Sequence, residues 1–359
     1  MKIALMLIAG GVLSGQVLSA NSFNFLSLTD PSATSNTYAE GINDGTVVGY
    51  YLAGAAKGFT YSVAGASYTT LNVALAGQTI QQSELIGIND TGTEIAGAGY
   101  YTSGGSYFHA VTENTGTGIF TQIPITTGFS GALASFADGV NSSGTVVGSY
   151  STVSNTGPFN AFIYAPGATS PFSASLSCPG VSGATGTLMW AVNDSNDAAG
   201  YCSTATGNVG FTYQFSVSGT SVASGTWTEY TVSGLTPPDS STIAGTDVHA
   251  IDSNGNLGGF YTTLAGDTYG FYYNATTTTY QTIDVAGILA NALTGYTEVL
   301  GMDNSGDLVG VYKNTANSND VEGFIASPIT TPEPGTMALS SLLFVGLAAF
   351  YWKRRSVRG

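Results

Sequence analysis

Carboxylates are the only abundant reactive groups in this chain: 22 Asp and Glu stand against seven Lys and Arg and two His. His109 and His249 lie in different parts of the sequence, and no Gly-x-Ser-x-Gly elbow accompanies either. A three-His zinc site would need one more imidazole than the chain has, and a two-His site would need help from a carboxylate. His249 therefore reads as an ordinary loop residue, the alternative being a small polar cluster with Asp247 and Asp252. Glycoside hydrolysis needs only two carboxylates a few ångströms apart, but among 22 acids no pair is singled out. The expectation is a protein that is not an enzyme.

Two segments place oxygens at alternating positions, as calcium loops do: Asp252-Ser-Asn254-Gly-Asn256 and Asp303-Asn-Ser305-Gly-Asp307. Asn193, Ser195 and Asp197 do likewise. None carries the bidentate carboxylate at loop position twelve, and Ca2+ takes six to eight oxygens. Turn formation is thus the reading for these residues and no cofactor is expected, with Asp252, Asn254, Asp303 and Asp307 the candidates should calcium bind. Cys178 and Cys202 are the only cysteines; they read as one disulfide or as two separate buried thiols. The adjacent pairs Tyr50-Tyr51, Tyr100-Tyr101 and Tyr272-Tyr273 project to opposite faces of a strand. One ring of each pair can fill the core while the other can face solvent, where rings stack on sugars.

What must position these groups is a repeat. Gly41-Ile-Asn-Asp-Gly-Thr-Val-Val-Gly-Tyr-Tyr51 returns in altered form from Gly87, Gly139, Ala191, Ala250 and Gly301, at separations of 46, 52, 52, 59 and 51 residues. A second phrase follows each first one: Gly58-Phe59, Ala110-Val111, Ala161-Phe162, Gly210-Phe211, Gly270-Phe271 and Gly323-Phe324. Most copies then carry an alternating stretch, as in Tyr68 to Val73, Ile119 to Ile125, Trp227 to Val232 and Tyr280 to Val285. Alternation and β-branched residues predict strands, and the Asn/Asp-x-x-Gly turns predict hairpins. Each unit reads as four strands. Six units of about 50 residues predict an all-β, six-bladed β-propeller, with an open β-solenoid as the competitor. The last unit lacks its alternating strand, and Phe23-Asn-Phe-Leu-Ser-Leu28, placed before the first unit, supplies one. The ring is therefore expected to close on its N-terminal strand.

Both ends of the chain read as addresses. Residues 1–20 have the form of a signal peptide, with Lys2, an apolar run from Ile3 to Val12 and small residues at Ser19 and Ala20. The propeller is assigned to 21–327 and an exposed linker to 328–335. An uncharged, mostly apolar segment at 336–352 is long enough for a helix of roughly 25 Å, the short end of what crosses a bilayer. The basic tail 353–359 follows, in which Lys353, Arg354 and Arg355 resist translocation. Between Asn21 and Gly335 only Lys57 and Lys313 oppose all 22 acids. Such a body repels phosphates and anionic headgroups, which disfavours nucleic acid as a partner.

The tail resembles the PEP-CTERM sorting signal, and Pro332, Glu333 and Pro334 carry the match. The resemblance implies handling by an exosortase, a membrane transpeptidase-like enzyme of Gram-negative bacteria that make exopolysaccharide. It implies a precursor held in the inner membrane by its C-terminal helix, then a cell-surface or extracellular-matrix protein of the biofilm. The repeat is similar to the bacterial extracellular HAF repeat, although only His109-Ala110 keeps the first two letters. That resemblance implies a secreted β-repeat protein and brings no catalytic residues. A non-catalytic surface or matrix protein, associated with exopolysaccharide, is the expectation. The alternatives are a glycan-binding module and a secreted carbohydrate-active hydrolase.

Overall fold

The computed structural model describes residues 23–102, 106–172, 178–318 and 320–329. The segment 1–20 read as a signal peptide, the motif at Pro332, Glu333 and Pro334, the apolar segment and the basic tail lie outside the described residues. Within them the chain is all-β.

After β1 (Phe23–Leu28), the strands fall into six consecutive groups. The first contains β2 (Thr37–Asn43), β3 (Thr46–Leu52), β4 (Ala56–Ser62) and β5 (Ser67–Thr70). The second contains β6 (Gln82–Ile88), β7 (Glu94–Tyr101), β8 (Tyr107–Asn114) and β9 (Ile119–Gln122). The third contains β10 (Ala134–Val140), β11 (Val146–Ser151) and β12 (Asn160–Tyr164). β13 (Ala184–Val192), β14 (Asp197–Thr204), β15 (Val209–Ser218) and β16 (Ser221–Tyr230) make the fourth. β17 (Ile243–Ile251), β18 (Leu257–Thr263), β19 (Thr268–Asn274) and β20 (Thr279–Ile283) make the fifth. β21 (Ala292–Met302), β22 (Leu308–Asn314) and β23 (Asp320–Pro328) belong to the sixth, whose fourth place is taken by β1 beside β23. A single bridge, Thr268 with Tyr296, joins the fifth and sixth groups into one continuous sheet.

Two local readings change. The stretch from Ile119 to Ile125 is a strand only as far as Gln122; after Pro124, residues Ile125–Gly128 form one helical turn, α1. Proline has no amide hydrogen to continue the ladder. Among the described residues, the fourth place of the third group holds a single bridge between Ile163 and Phe172.

The inner strands β2, β6, β10, β13, β17 and β21 adjoin one another in order, and β21 adjoins β2. The repeated glycine at the start of the first phrase permits this. A Cβ on Gly41 would stand 2.7 Å from the Ile86 carbonyl oxygen, and one on Gly87 would stand 2.6 Å from that of Asp138. A Cβ on Gly301 would stand 2.5 Å from that of Glu40, so the sixth group abuts the first. The arrangement is β-propeller-like, with a channel where the inner strands converge.

Between the sheets lies the core. Phe59, Phe162, Phe211, Phe271 and Phe324, each the aromatic of a second phrase, are fully buried. Burying each contributes about 1.5–3 kcal/mol. At the closure, Phe23 packs in one cluster with Phe324, and Leu28 packs in the next with Ala39 and Phe59. The Ser27 hydroxyl lies 2.8 Å from that of Tyr312, which donates to Glu322 at 2.7 Å.

Candidate ligand site in the central channel

The turn after each inner strand is fixed by its first residue. Asn43 pairs with Thr46 across a two-residue hairpin in which Asp44 and Gly45 both have positive φ, the geometry of a type I′ turn. In the wider turns the Asn or Asp oxygen accepts two backbone N–H groups. Asn141 Oδ1 takes those of Ser143 and Thr145 at 3.1 and 3.0 Å, and Asn193 Oδ1 those of Ser195 and Asp197 at 3.0 Å. Where the residue is Asn, its amide also reaches the neighbouring turn. Asn141 Nδ2 donates to the Asn193 carbonyl at 3.1 Å, and Asn193 Nδ2 to that of Asp252 at 2.9 Å.

The calcium candidates serve the same purpose. Asp252 Oδ1 accepts the N–H groups of Asn254 and Asn256 at 2.8 Å, and its Oδ2 accepts Asn256 Nδ2 at 2.7 Å. Asp303 Oδ1 accepts those of Ser305 and Asp307 at 2.9 and 3.1 Å. Among the described residues no three His, Cys, Asp or Glu side chains stand close enough to hold one metal ion. Cys178 and Cys202 are joined as a disulfide.

Every inner strand also carries a β-bulge at one repeat position. The pairing register slips at Ala39/Gly41, Leu85/Gly87, Ala137/Gly139, Met189/Ala191, Val248/Ala250 and Val299/Gly301. The extra residues are Glu40, Ile86, Asp138, Trp190, His249 and Leu300, and all six line the channel. A bulge re-aims one side chain out of the pleat; here it turns one residue per unit toward the axis. Glu84, Asp247 and Glu298 stand two residues earlier, on alternate positions of the same strands.

These positions gather five carboxylates. Burial pushes Glu40 up to about 8, helped by the charges of Glu84, Glu298 and Asp138. It pushes Glu84 to about 7, and Glu298 to about 7 against the pull of Lys313 and a hydrogen bond with Tyr296. Asp247 also rises to about 7 through burial, opposed by a 2.6 Å hydrogen bond from Asn208 Nδ2. Asp138 is raised well above the carboxylate range by burial, although the Ser149 hydroxyl donates to it at 3.1 Å. Glu40, Glu84 and Glu298 keep some contact with water, yet protein surrounds them on the channel walls. Removal from bulk solvent disfavours the charged form of each.

His249 is not on a loop. It lies in β17, is 6% exposed, and is packed between Trp190, 4.3 Å away, and Phe260, 4.9 Å away. Neither ring nitrogen has a hydrogen-bond partner among the described residues, so the structure places no His–Asp bond to Asp247 or Asp252. Burial lowers its pKa to about 3, and the imidazole is neutral. His109, by contrast, stacks on Tyr101 at 4.2 Å, away from the channel lining.

A cavity of about 300 Å3 adjoins this ring, lined by Glu40, Glu84, Asp138 and the rings of Tyr50, Phe136, Phe159, Trp190 and Tyr201. Tyr50 does not face open solvent. It turns into this cavity and stacks on Tyr38 at 4.6 Å, while Tyr51 is buried and meets Thr70 at 3.2 Å. At the turn end of the channel, Ser253 Oγ donates to Asp90 Oδ2 at 3.1 Å, joining the second and fifth groups across the axis. The bulge acids and Trp190 were not singled out in the sequence. The available signal was position: each is the residue immediately before the repeated Gly/Ala-Ile/Val-Asn phrase.

No family model matches the sequence, and no curated protein does. The chain aligns with several solved structures. AofleA from Arthrobotrys oligospora is 9% identical, with 87% of each chain covered and a TM-score of 0.42. A protein of unknown function from Dyadobacter fermentans is 10% identical over 86% of this chain and 100% of that one, at 0.47. The PQQ-bound aldose sugar dehydrogenase of Streptomyces coelicolor is 12% identical over 85% and 98%, at 0.41.

Proposed function

We propose that this chain is an exported six-bladed propeller, closed by its N-terminal strand, that serves as a non-catalytic surface or matrix protein of an exopolysaccharide-producing Gram-negative bacterium. The observation that carries the reading is the order at the C-terminus: Pro332-Glu333-Pro334, then an uncharged apolar segment, then Lys353, Arg354 and Arg355. An exosortase would act on that motif while the apolar segment holds the precursor in the inner membrane. The Cys178–Cys202 disulfide suits an oxidising compartment outside the cytoplasm.

Replacing Pro332 and Pro334 by Ala and Glu333 by Gln tests the sorting step. The variant should remain in the inner membrane at full length, while the parent chain reaches the surface fraction shortened. Identical fractionation of the two would overturn the reading. Glycan binding is the second reading, favoured by the aromatic rings and carboxylates that share the 300 Å3 cavity. It predicts retention of the chain on an exopolysaccharide column and loss of retention on Tyr50→Ala.

A further inference from the structure

The six bulge residues alternate in character around the axis. Units one, three and five present Glu40, Asp138 and His249; units two, four and six present Ile86, Trp190 and Leu300. Three groups able to accept hydrogen bonds thus come from alternate sheets, with Ile86, Trp190 and Leu300 between them, of which Trp190 carries a buried indole N–H donor. The space they enclose is about 60 Å3, and it shares Glu40, Asp138 and Trp190 with the larger cavity beside it. No Lys or Arg lines either space.

His249 makes this more than an accumulation of acids. It is 94% buried, being 6% exposed, and both its nitrogens lack a hydrogen-bond partner among the described residues. A buried polar group left unpaired costs on the order of 1–3 kcal/mol. A neutral imidazole also offers one lone pair, so a ligand group that donates hydrogen bonds would satisfy it. Asp138, 2% exposed, has the Ser149 hydroxyl as its donor and no cationic partner among the described residues.

We propose that the channel binds a primary ammonium group on its axis, with Glu40, Asp138 and His249 each accepting one N–H. An ammonium has three donors arranged with threefold symmetry and no acceptor, which matches acceptors drawn from three alternate sheets. The contacts can be direct or pass through one water. The ligand's carbon skeleton would occupy the 300 Å3 cavity against Tyr50, Phe136, Phe159 and Trp190, where ring faces favour a neighbouring cation. A bare metal ion fits less well, since no three acidic or imidazole groups among the described residues converge at metal-ligand range. The site is separate from the sorting role proposed above.

The titratable groups lining the two spaces are Glu40 on β2, Glu84 on β6, Asp90 in the turn after β6, Asp138 on β10 and His249 on β17, with Asp247 on β17 and Glu298 on β21 close by. Tyr38, Tyr50, Tyr201 and Tyr296 stand behind them, with Lys313 near Glu298. Binding a cation favours the ionised carboxylates, so it should release protons and strengthen as pH rises from 6 to 8.

Isothermal titration of the full chain in detergent micelles with cyclohexylammonium, which stays protonated over that range, tests this. Saturable binding is expected at pH 8, roughly tenfold weaker at pH 6. Heats in buffers of different ionisation enthalpy should report proton release. Cyclohexanol, of the same shape but uncharged, should not bind. Tetramethylammonium, a cation without N–H donors, should bind at least tenfold more weakly. Glu40→Gln and His249→Phe should each weaken cyclohexylammonium roughly tenfold while near-ultraviolet circular dichroism shows the folded state retained. Absence of binding by the folded parent chain at pH 8 would overturn the proposal, as would equal affinity for cyclohexanol or tetramethylammonium. Unchanged affinity in both variants would overturn it too. Should one variant fail to fold, the other and the ligand comparison on the parent chain still decide.

Discussion

At the residue scale, the turn asparagines explain why Asn opens the phrase in four of the six repeats. Asn141 satisfies the Ser143 and Thr145 amides with its oxygen and the Asn193 carbonyl with its nitrogen, so one side chain fastens a turn and ties two sheets together. Asn141→Ala should lower the unfolding free energy by about 1–3 kcal/mol in urea denaturation, because the Ser143 and Thr145 amides lose their acceptor and the Asn193 carbonyl loses one of its donors. Asn141→Asp keeps the two accepted bonds and loses the two donated ones, to the Asn193 carbonyl and to Asn196 Oδ1, so it should cost less. An alanine variant as stable as the parent would show that water replaces these bonds. The requirement for an acceptor was legible from Asn/Asp-x-x-Gly. The donated bond to the Asn193 carbonyl was not, because its partner lies 52 residues away in the chain.

Elements are joined by a compromise between the bulge and the strand opposite it. Opposite each bulge stands a glycine of the same phrase: Gly49, Gly97, Gly148, Gly200, Gly259 or Gly310. A Cβ on Gly148 would collide with the Phe136 carbonyl oxygen and would lie 2.8 Å from the buried Phe162 ring. Both obstacles are fixed, the first by the backbone and the second by the core. Gly148→Ala should therefore lower stability by ~3 kcal/mol, the upper part of the usual range for overpacking. It should also disturb the channel by moving Asp138. Thermal unfolding would measure the first effect, and a stability within a few tenths of the parent would show that the bulge relaxes. The final glycine of Val-Val-Gly recurs in the sequence with no local turn to explain it; the structure gives it a steric cause.

For the whole molecule, the sign of the charge in the channel sets the response to pH. Glu40 is raised to about 8 and Glu84, Asp247 and Glu298 to about 7. The folded state therefore holds more protons than the unfolded one as pH rises from the ordinary carboxylate range to about 8, and stability falls across that window. His249 acts in the opposite sense, since its pKa drops from 6.5 to about 3, but its contribution is complete once pH exceeds 6.5. The raised tyrosines titrate only above 10. Between pH 6.5 and about 8.5 the acids act without opposition, so Tm should decline in this interval, and Glu40→Gln should flatten the decline. A Tm that rises with pH there would mean that the channel carboxylates are ionised throughout. Burial outweighs the Asn208 hydrogen bond to Asp247 and the Lys313 charge near Glu298, so ionisation costs the folded state more than the unfolded one.

Repetition made the overall plan readable from the chain alone. The spacing of the phrases fixed six units, the alternating stretches fixed strand rather than helix, and the missing last strand pointed to Phe23–Leu28 as its replacement. These are local patterns, and strand formation and turn geometry follow from near neighbours. Glu40, Asp138 and His249 were not legible as a group, because they lie 98 and 111 residues apart in succession. Nothing in their immediate sequence distinguishes an acid aimed at solvent from one aimed at the axis. That choice rests on the bulge, and the bulge matters only once six inner strands have converged. Convergence is a tertiary event, and it also removes the carboxylates from bulk water and leaves His249 without a partner. The sequence by itself determined which residues turn and which pair; only the closed ring decided which of them share a cavity.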